Sequence, residues 1–530
     1  MRIVNKTEMK AIEDLTINEF GFEESLIIEN VGASIATYIF EDVLSFKDFG
    51  EILIFLGRGN NAADGLAIGR HLVNLGVNVR AFFLFPEEDL SEQAKKQRLL
   101  ASKFGVKCAD IQSIEELRAY FDQAGDEYFI IDAICGTGYR GPLSNYLFEV
   151  IKTINDCSSF TLALDIPSGI EADSGAILSE AIDADVTAAV CLPKVGYYLG
   201  SAPAYVGKIE VFQSGFPLQS VQGGDKFLLT DSKLSSLEEG RNKFAHKNTY
   251  GHTLVIAGSP GLTGAAVLAS NGALRVGAGL VTAVTWKESY YELVARMPAE
   301  IMCGVIPTND QEVVEVIRDL DKYDTVIIGP GLGVTEKSRD VVLKILNHFS
   351  GPVVVDADAL KLIDLNKDKE LLKQRKGLTV LTPHIGEFSG ITGIDKTKVL
   401  EQPVTHLKEF VDNVNCAVVL KSSSSFIGFP NGEVFVNHFP NDGMATGGSG
   451  DVLAGILGGI LAQFNGPVPS SGIFEDKSKL FEKICMGVGL HSLAGKIAAE
   501  HLGVMAMGAG DIVYSLGEAF SQIHGPSEDE

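Results

Sequence analysis

A glycine-rich loop that runs directly into an apolar helix is the segment of the sequence best suited to chemistry. Its centre is TGGSGD, residues Thr446–Asp451. The backbone amides of residues 448–451 would point out of the helix N-terminus, where they would hold an anion such as a transferring phosphoryl group. Asp451, near the first turn, could act as a base toward a hydroxyl group. The alternative is a simple cap with Ser449 as N-cap, although Val452 in place of Glu or Gln leaves the capping box incomplete.

Four further loops of the C-terminal half follow predicted strands, at the edge where open α/β sheets bind ligands. They contain Gly329–Gly333, Asp356 with Asp358, His384 with Glu387, and Lys421 followed by four serines. The glycines leave the backbone free to approach a ligand, the aspartates could touch a magnesium–phosphate group, and the lysine could hold a nucleotide phosphate. Helix-capping aspartates, a solvated lysine and a structural histidine are the alternatives. Because GxxxxGK[ST] is absent from the sequence, phosphate binding here would not use a P-loop.

Three loops of the N-terminal half also follow predicted strands and converge on one sheet edge. They are Gly57–Gly65 (GRGNNAADG), Asp132–Pro142 (DAICGTGYRGP) and Asp165–Gly169 (DIPSG). The first loop opens a helix, so its amides can face an anion. Asp132 could move a proton if its neighbours raise its pKa, and oxygens of Asn61, Asp132 and Ser168 could surround a hard cation. Alternatively, Asp64, Asp132 and Asp165 only cap helices or bind turn amides.

Short apolar runs alternate with helical patterns along the chain and predict an α/β fold. We predict strands at 51–56, 79–85, 128–133, 161–165, 185–191 and 208–212, and then at 253–257, 280–284, 325–328, 353–356, 379–381, 416–420 and 433–436. Helical patterns lie between them, as at Ala63–Leu75 and Glu92–Phe104. Such alternation is typical of parallel sheets covered by helices on both faces. The pattern lapses at Pro217–Asp225, which predicts two domains, residues 1–220 and 225–522.

The composition limits the classes of function. With 44 Lys and Arg against 69 Asp and Glu, the net charge of −25 argues against general binding to nucleic acids or anionic membranes. Seven cysteines stand singly, without a CxxC pair, which favours a reducing compartment. The longest apolar run, Val452–Phe464, is too short to cross a bilayer and predicts a buried helix. We therefore expect a cytoplasmic enzyme without a membrane span or an N-terminal signal peptide.

The N-terminal motifs resemble the NAD(P)H-hydrate epimerase domain, also called the YjeF N-terminal domain. The resemblance rests on Leu26–Gly32, Gly57–Leu66, Ile131–Gly138 and Leu164–Gly169. It implies a Rossmann-like three-layer fold, a catalytic Asp132, and a potassium ion bound by Asn61, Asp132 and Ser168. The substrate-binding residues that it implies are Asn60, Asn61, Ala62, Ala63, Asp64, Gly136, Thr137, Gly138, Tyr139, Arg140, Gly141, Pro142 and Asp165.

Two alanines depart from the pattern of that family. Ala62 and Ala63 stand where the family usually has two glycines. A methyl group at these positions blocks positive φ and is expected to crowd the substrate's phosphates. A catalytically silent N-terminal scaffold is therefore the alternative for this half of the chain.

The C-terminal motifs resemble ribokinase-like proteins and, more narrowly, the ADP/ATP-dependent NAD(P)H-hydrate dehydratase domain. The matching segments are His246-Lys247, Tyr250–Ser270, Arg275–Thr282, Gly329–Gly333, Asp356–Leu360, Thr382–Glu387 and Thr446–Gly455. The resemblance implies that the hydrated dinucleotide contacts Ala266, Gly331, His384 and the catalytic Asp451. It implies that the adenine nucleotide, bound with Mg²⁺, contacts Lys421, Ser422, Ser423, Ser424, Ser425 and Gly450. Asn248 and Ser422 stand where the family commonly has glycine, which could shift nucleotide affinity.

The two domains in this order resemble bifunctional NAD(P)H-hydrate repair enzymes, a family that forms homo-oligomers, which implies a tetramer or larger assembly here. The first domain would interconvert the (R)- and (S)-hydrates of NADH and NADPH as an isomerase. The second, a lyase, would dehydrate the (S)-form, with Asp451 as base, by phosphorylation and elimination, releasing AMP or ADP and phosphate. The rival interpretation is a ribokinase-like kinase of a vitamin alcohol, which would release a stable phosphorylated product.

Overall fold

The chain folds into two compact α/β units. The computed structural model describes all residues except 48, 112, 125–127, 158, 214, 238–239, 242, 307–319, 464–476 and 525–530. One unit comprises Arg2–Gly224, and the other comprises Asp225–Glu530 together with Met1. Each unit has its own sheet, so we describe them separately.

The first unit is built on a parallel sheet of seven strands. They are β1 (Ile52–Leu56), β2 (Val79–Phe83), β3 (Lys107–Asp110), β4 (Tyr128–Ala133), β5 (Ser159–Leu164), β6 (Val186–Val190) and β7 (Lys208–Phe212). Their order is β3-β2-β1-β4-β5-β6-β7, and all neighbours are parallel. From β1 the chain adds β2 and β3 on one side of the sheet and then adds β4 to β7 on the other side. This change of side between β1 and β4 opens a crevice at the carboxyl ends of these two strands.

Both faces of this sheet are covered. The helices are Lys6–Asn18, Glu24–Tyr38, Asn60–Asn74, Glu92–Phe104, Ile114–Ala124, Asn145–Asn155 and Leu218–Val221. Every residue of β1 is buried. Because side chains alternate along a strand, Ile54 and Leu56 pack in one apolar cluster, whereas Leu53 and Phe55 pack in another on the opposite face. The three-layer arrangement predicted from the apolar strands is confirmed.

The second unit contains a ten-stranded sheet within its described residues. The strands are β8 (Lys226–Leu228), β9 (His252–Ile256), β10 (Leu280–Thr285), β11 (Met302–Val305), β12 (Thr325–Ile328), β13 (Val353–Val355), β14 (Thr379–Leu381), β15 (Ala417–Leu420), β16 (Ser425–Gly428) and β17 (Val434–Asn437). Their order is β11-β10-β9-β12-β13-β14-β15-β16-β17-β8. Pairing is parallel from β11 to β15, antiparallel from β15 through β17, and parallel again between β17 and β8.

The helix after the glycine-rich loop is almost completely buried in the second unit. The helices of the unit are Asp231–Leu237, Thr263–Arg275, Tyr290–Arg296, Glu336–His348, Asp358–Leu362, Leu365–Gln374, Ile385–Thr392, Lys396–Glu401, Pro403–Val414, Ser449–Gln463, Lys477–Leu502 and Ala509–His524. Residues 452–462 of the helix Ser449–Gln463 are all buried. Small residues let it touch the helix Thr263–Arg275 backbone to backbone, because a Cβ on Gly455 would overlap the carbonyl oxygen of Ala269.

Most strand predictions agree with the structure to within two residues, but four strands were missed. These are β3, β8, β11 and β16. β3 lies at a sheet edge and is largely exposed, so it lacks the apolar run on which the prediction depends. The antiparallel pairs of β16 were also missed, since its first residue belongs to a serine run. Among the described residues, no helix combines the length and hydropathy needed to cross a membrane; the end of the apolar run at Phe464 lies outside them.

Candidate functional site

A cavity of about 680 Å³ lies at the carboxyl ends of β1, β4 and β5. Ten residues predicted from the sequence line it: Asn60, Asn61, Asp64, Gly136, Thr137, Gly138, Tyr139, Arg140, Pro142 and Asp165. The three N-terminal loops therefore meet at one place. The helix Asn60–Asn74 begins at this cavity, so its first amides are available to an anion.

Ala62 and Ala63 do not crowd this cavity. Both lie within the right-handed helix Asn60–Asn74, and both are fully buried in the apolar cluster beneath the sheet face. Neither has a positive φ, so glycine is not required at either position. The expected obstruction of a phosphate by these methyl groups is wrong, and their substrate contact would have to come from the backbone. Gly141, with φ +80°, lies between Arg140 and Pro142, which both line the cavity.

Asp132 and Ser168 form a buried hydrogen-bonded cluster beside the cavity. Asp132 is fully buried, and its carboxylate accepts hydrogen bonds from Ser168 Oγ at 2.6 Å, Ser168 N at 2.7 Å and Ile134 N at 3.1 Å. Burial raises the pKa of Asp132 to about 6, although the bonds from Ser168 oppose this. Ser168 Oγ accepts from Cys135 N at 2.8 Å, and Asn61 Nδ2 donates to Cys135 O at 2.9 Å. The three predicted cation ligands are therefore connected through the backbone of Ile134 and Cys135.

The structure brings charged groups to this cavity that the sequence did not indicate. Lys194, whose side chain is 1% exposed, pairs with Asp165 and donates to Val190 O at 2.9 Å. Asp165 has φ +67°, a strained conformation that Tyr197 supports by donating to its carbonyl oxygen. Lys194 follows β6 by four residues and could have been found as a strand-end cation.

Two further carboxyl groups share the cavity of Lys194 and Asp165. Glu13 and Asp64 line the same cavity as Asp165. Burial and the neighbouring carboxylates of Asp165 and Glu13 raise the pKa of Asp64 well above its usual range. Burial also raises the pKa of Glu13. Glu13 lies on the helix Lys6–Asn18, far from every recognised motif, so no local signal could have revealed it.

Asp451 lies in the first turn of the helix Ser449–Gln463, as predicted. Burial raises the pKa of Asp451 to about 7, and repulsion from Asp356 adds to this, whereas attraction to Lys421 opposes it. Gly448, the residue before this helix, has φ +96°, a conformation that favours glycine. A carboxyl group with a pKa near neutrality at a helix N-terminus is suited to accepting a proton.

Lys421 and Asp356 meet beside the glycine-rich loop. Lys421 Nζ lies 2.9 Å from Asp356 Oδ1, which also accepts from Thr382 Oγ1 at 2.7 Å. The Asp356 side chain is 1% exposed. A Cβ built on Gly450 would lie 3.1 Å from Lys421 Nζ and 3.9 Å from Asp356 Oδ2. Three loops separated in sequence therefore join a cation, a buried carboxylate and a helix N-terminus.

His384 caps a helix, whereas Asp358 is bonded to a neighbouring loop. His384 Nδ1 accepts from Gly386 N at 2.9 Å and from Glu387 N at 3.2 Å, which caps the helix Ile385–Thr392. The imidazole remains 59% exposed, with Nε2 3.5 Å from Glu387 Oε1. Asp358 Oδ2 accepts from Gly333 N at 3.0 Å, so this carboxylate braces the Gly329–Gly333 loop.

The other predicted contacts differ in accessibility. Ser422 and Ser423 are exposed, whereas Ser424 is buried with its hydroxyl 2.8 Å from His438 Nδ1, and Ser425 begins β16. The Ser424 hydroxyl is therefore engaged within the protein, and the nucleotide contact of Ser424 stays a prediction. Gly331 has φ +58° and its carbonyl accepts from Ser259 Oγ at 2.8 Å. Ala266 is fully buried in the core, so its methyl group is not available to a substrate.

His491 is a buried residue that the sequence analysis missed. Its Nε2 lies 3.0 Å from Ser449 O and 3.3 Å from Ser449 Oγ. Burial lowers the pKa of His491 to about 4, so the ring is neutral and donates to the Ser449 carbonyl. Its place within the helix Lys477–Leu502, remote from the loop in sequence, carries no recognisable signal.

Family models match both units. Residues 24–196 match the model described as YjeF-related protein N-terminus, and residues 253–516 match the model described as NAD(P)H-hydrate dehydratase. Among solved structures, the ADP/ATP-dependent NAD(P)H-hydrate dehydratase from Bacillus subtilis, co-crystallised with ATP and Mg²⁺, is 26% identical with a TM-score of 0.47. That match covers 56% of this chain and 98% of the other.

Full-length relatives share both units. The bifunctional NAD(P)H-hydrate repair enzyme of Moorella thermoacetica is 33% identical over 527 residues, which cover 97% of this chain and 95% of that protein. The enzyme of the same name from Thermofilum pendens is 31% identical, with 95% of this chain and 93% of the relative covered. With this identity over nearly the whole length, and with the loops of both units in place, the chain belongs to the family of bifunctional NAD(P)H-hydrate repair enzymes.

Proposed function

We propose that the second unit dehydrates the (S)-hydrate of NADH or NADPH with ADP or ATP as co-substrate. The observation that carries this proposal is the position of Asp451, in the first turn of a helix and beside the Lys421–Asp356 pair. This arrangement combines a base with donors for a phosphoryl group. It supplies the parts that phosphoryl transfer to an alcohol needs.

The reaction follows from these parts. Asp451 takes the proton of the ring hydroxyl, and that oxygen bonds to the terminal phosphorus of the nucleotide, so AMP or ADP leaves. The amides of residues 448–450 donate to the phosphoryl oxygens as charge develops. Phosphate then leaves the ring carbon with the bonding electron pair, and the adjacent carbon loses a proton, which restores the dihydronicotinamide. Phosphate is a far better leaving group than hydroxide, which is why the nucleotide is consumed.

Lys421 and Asp356 are suited to the nucleotide's phosphates and to Mg²⁺. Within the described ranges, no three acidic, histidine or cysteine side chains form a metal cage. This fits Mg²⁺, which proteins usually hold through one or two carboxylates plus substrate phosphates. The buried carboxylate of Asp356 would supply the protein oxygen, and Lys421, Ser422 and Ser423 would contact the nucleotide. Bound Mg²⁺ neutralises phosphate charge during transfer.

We propose that the first unit interconverts the (R)- and (S)-hydrates in the cavity lined by Asn60 and Asp165. Asp165, Lys194 and Asp64 surround the space for the hydrated ring, and they can take the proton of its hydroxyl group and return it. Loss of that proton would let the adjacent ring carbon–nitrogen bond break to an aldehyde, with the electron pair and a proton going to nitrogen. Attack of the nitrogen on the other face of the aldehyde, with the protons moved back, would re-form the bond and give the other epimer. Amides at the start of the helix Asn60–Asn74 and of the loop after β4 are suited to the phosphates. The resulting (S)-hydrate is the form that the second unit consumes.

We propose K⁺ as the cation of this unit. Asn61, Asp132 and Ser168 are connected through the backbone of Ile134 and Cys135, and their side chains carry amide, carboxylate and hydroxyl oxygens, the kinds of donor that suit a hard cation. Asp132 is bonded to Ser168 and Ile134, so it would hold the cation and the loop, and its catalytic role stays a prediction. Exchange of K⁺ for a larger organic cation in the buffer is expected to slow epimerisation and to leave dehydration unchanged.

We further propose that the protein works in the cytoplasm as a homo-oligomer. The free cysteines are compatible with a reducing compartment. Met302 and Val305, on the edge strand β11, are 44% and 40% exposed and offer an apolar edge for assembly. Light scattering of the purified protein would decide its assembly state, and a monomer would contradict the proposal.

One incubation tests the dehydration and its rival. Purified protein is mixed with (S)-hydrated NADH and ADP or ATP, and free phosphate and the absorbance of reduced coenzyme are followed together. We expect equal amounts of both products. Accumulation of a phosphorylated compound without recovered coenzyme would instead identify a kinase.

A further inference from the structure

A second cavity, of about 520 Å³, lies in the first unit at the carboxyl ends of β2 and β3. Phe85, Arg98, Asp110 and Tyr146 are part of its wall. Phe85 also lines the cavity described above, so the two cavities share this side chain. None of the motifs recognised in the sequence falls in the second cavity.

Its wall combines aromatic rings with a charged cluster. Arg98 lies over the ring of Phe83 at 4.1 Å, pairs with Asp110 at 2.9 Å and approaches Glu87 at 3.9 Å. These three charged groups carry a net charge of about −1 at neutral pH. Tyr146 donates to Ile111 O at 3.0 Å, which holds its ring at the cavity. Such a wall suits an aromatic base attached to a sugar with free hydroxyl groups.

Strand order places the two cavities in a line along one sheet edge. Asp165 follows β5, Gly136 follows β4, Asn60 follows β1, Phe85 follows β2 and Asp110 follows β3, and the strands are adjacent in that order. The helix N-terminus at Asn60 therefore lies between the reacting end at Asp165 and the second cavity. A dinucleotide has the same sequence of parts: a reacting base, a central pyrophosphate and a second base.

We propose that the second cavity binds the adenosine end of the hydrated dinucleotide while its hydrated ring reacts in the first cavity. This inference rests on the proposed epimerase function. The adenine packs against Tyr146 and Phe85, and Glu87 or Asp110 accepts hydrogen bonds from the ribose hydroxyls. Because the charged cluster is net negative, it disfavours a phosphate on that ribose. The first unit therefore favours hydrated NADH over hydrated NADPH.

The first test removes the adenosine from the substrate. The full chain, without adenine nucleotide so that dehydration is silent, is given the (R)-hydrate of NADH or of reduced nicotinamide mononucleotide, and formation of the (S)-form is followed by chromatography. For Tyr146→Ala we expect kcat/KM for hydrated NADH to fall about 10-fold, the usual effect of a lost base–aromatic contact. The mononucleotide rate stays unchanged. Tyr146→Phe keeps the ring but loses the bond to Ile111 O, so we expect a smaller loss with hydrated NADH than in Tyr146→Ala.

The second test reverses charge at two adjacent exposed positions. Glu87 lines the second cavity, whereas its neighbour Glu88 is exposed and is not part of the wall. Glu87→Arg is expected to raise the preference for hydrated NADPH over hydrated NADH about 10-fold, whereas Glu88→Arg leaves it unchanged.

Three results would overturn the proposal. The first is an equal loss of kcat/KM with the dinucleotide and the mononucleotide in Tyr146→Ala, and the second is no loss of kcat/KM with either substrate in that variant. The third is the same shift of coenzyme preference in Glu87→Arg and in Glu88→Arg. Failure of the proposed epimerase function is distinguishable from these, because the parent protein would then convert neither substrate.

Discussion

Asp451 occupies a site where a carboxyl group is poorly solvated and faces a second carboxylate, Asp356. Both effects raise its pKa to about 7, and Lys421 offsets them only in part. At neutral pH a large fraction of a carboxyl group with this pKa is ionised and able to accept a proton. Its raised pKa also makes it a stronger base toward an alcohol in the transition state. Asp451 is therefore both ionised and a stronger base than an exposed aspartate would be.

Asp451→Asn tests this role. The change keeps the shape and removes the base, so we expect kcat for dehydration to fall about 1,000-fold, within the range for lost general-base catalysis. Phosphate release from (S)-hydrated NADH with ADP or ATP measures it. Epimerisation in the same preparation should be unaffected and serves as the control for folding. Dehydration at the parental rate would disprove the assignment.

The pH dependence of dehydration follows from the same group. Asp451 must be ionised to accept a proton, so kcat/KM should rise with pH through about 7 and then level off.

The free energy of unfolding has the opposite trend. The pKa of an unperturbed aspartate is 3.8 and that of Asp451 is about 7 in the folded protein, so the folded protein loses stability as the pH rises between these values. Chemical unfolding of parent and Asp451→Asn at several pH values measures it. The variant should gain stability over the parent between these values, and a constant difference would contradict the pKa.

Lys421→Met would leave Asp356 buried without its cation. Loss of one partner of a buried pair destabilises a protein by about 3 kcal/mol, and the KM for nucleotide should rise as well. Lys361→Met is the matched control, because Lys361 is 52% exposed where it pairs with Asp358, and such pairs contribute less than about 1 kcal/mol. Urea unfolding of both variants compares them. Equal losses would show that the buried pair is not special.

At the scale of elements, the second site depends on how closely two helices approach. Gly272, Gly455 and Gly459 let the helix Ser449–Gln463 contact the helix Thr263–Arg275 through backbone atoms. That contact sets the position of the helix N-terminus and therefore of Asp451. His491 donates to Ser449 O and supports the same turn from a third helix.

Gly455→Ala should disturb this packing. Its methyl group would overlap Ala269 O, so we expect a loss of about 2 kcal/mol in the free energy of unfolding, typical of overpacking, together with slower dehydration. Gly517→Ala is the control. Gly517 is exposed in the helix Ala509–His524, and the added Cβ would meet nothing within 4 Å. The Gly517→Ala variant should therefore gain about 1 kcal/mol in the free energy of unfolding from the higher helix propensity of alanine. A neutral effect of Gly455→Ala would mean that the helices can separate without cost.

The fold class was predictable at this scale, whereas the sheet edges were not. The α/β class, with a Rossmann-like first unit and a ribokinase-like second unit, is confirmed, because buried parallel strands are continuous apolar runs. Edge strands such as β3 and β11 have exposed residues and lose this signal. Their pairing depends on a neighbouring strand rather than on their own sequence.

At the scale of the whole molecule, each unit contains both a core and a site. The apolar cluster around β1 draws on residues of the first unit, and the cluster around the helix Ser449–Gln463 draws on residues of the second. The two reactions are connected by the (S)-hydrate, which one unit produces and the other consumes. Chemical coupling of this kind requires no shared residue.

Residues 1–224 and 225–530, produced as separate chains, should therefore each keep its own reaction. A unit with its own hydrophobic core can fold alone. We expect epimerisation from the first chain, nucleotide-dependent dehydration from the second, and complete recovery of NADH from mixed (R)- and (S)-hydrates only when both are present. Circular dichroism would confirm folding of each chain. Loss of both activities in folded chains would show that the reactions depend on the intact protein.

The sequence by itself determined the loops of both sites and the helix that presents Asp451, because a glycine-rich turn followed by an apolar helix is a local pattern. Only the tertiary structure decided that Lys194 and Glu13 join Asp165, that His491 supports Ser449, and that Asp132 is enclosed by hydrogen bonds. These contacts join residues that are distant along the chain. Their proximity follows from strand order and helix packing, which local spacing does not specify.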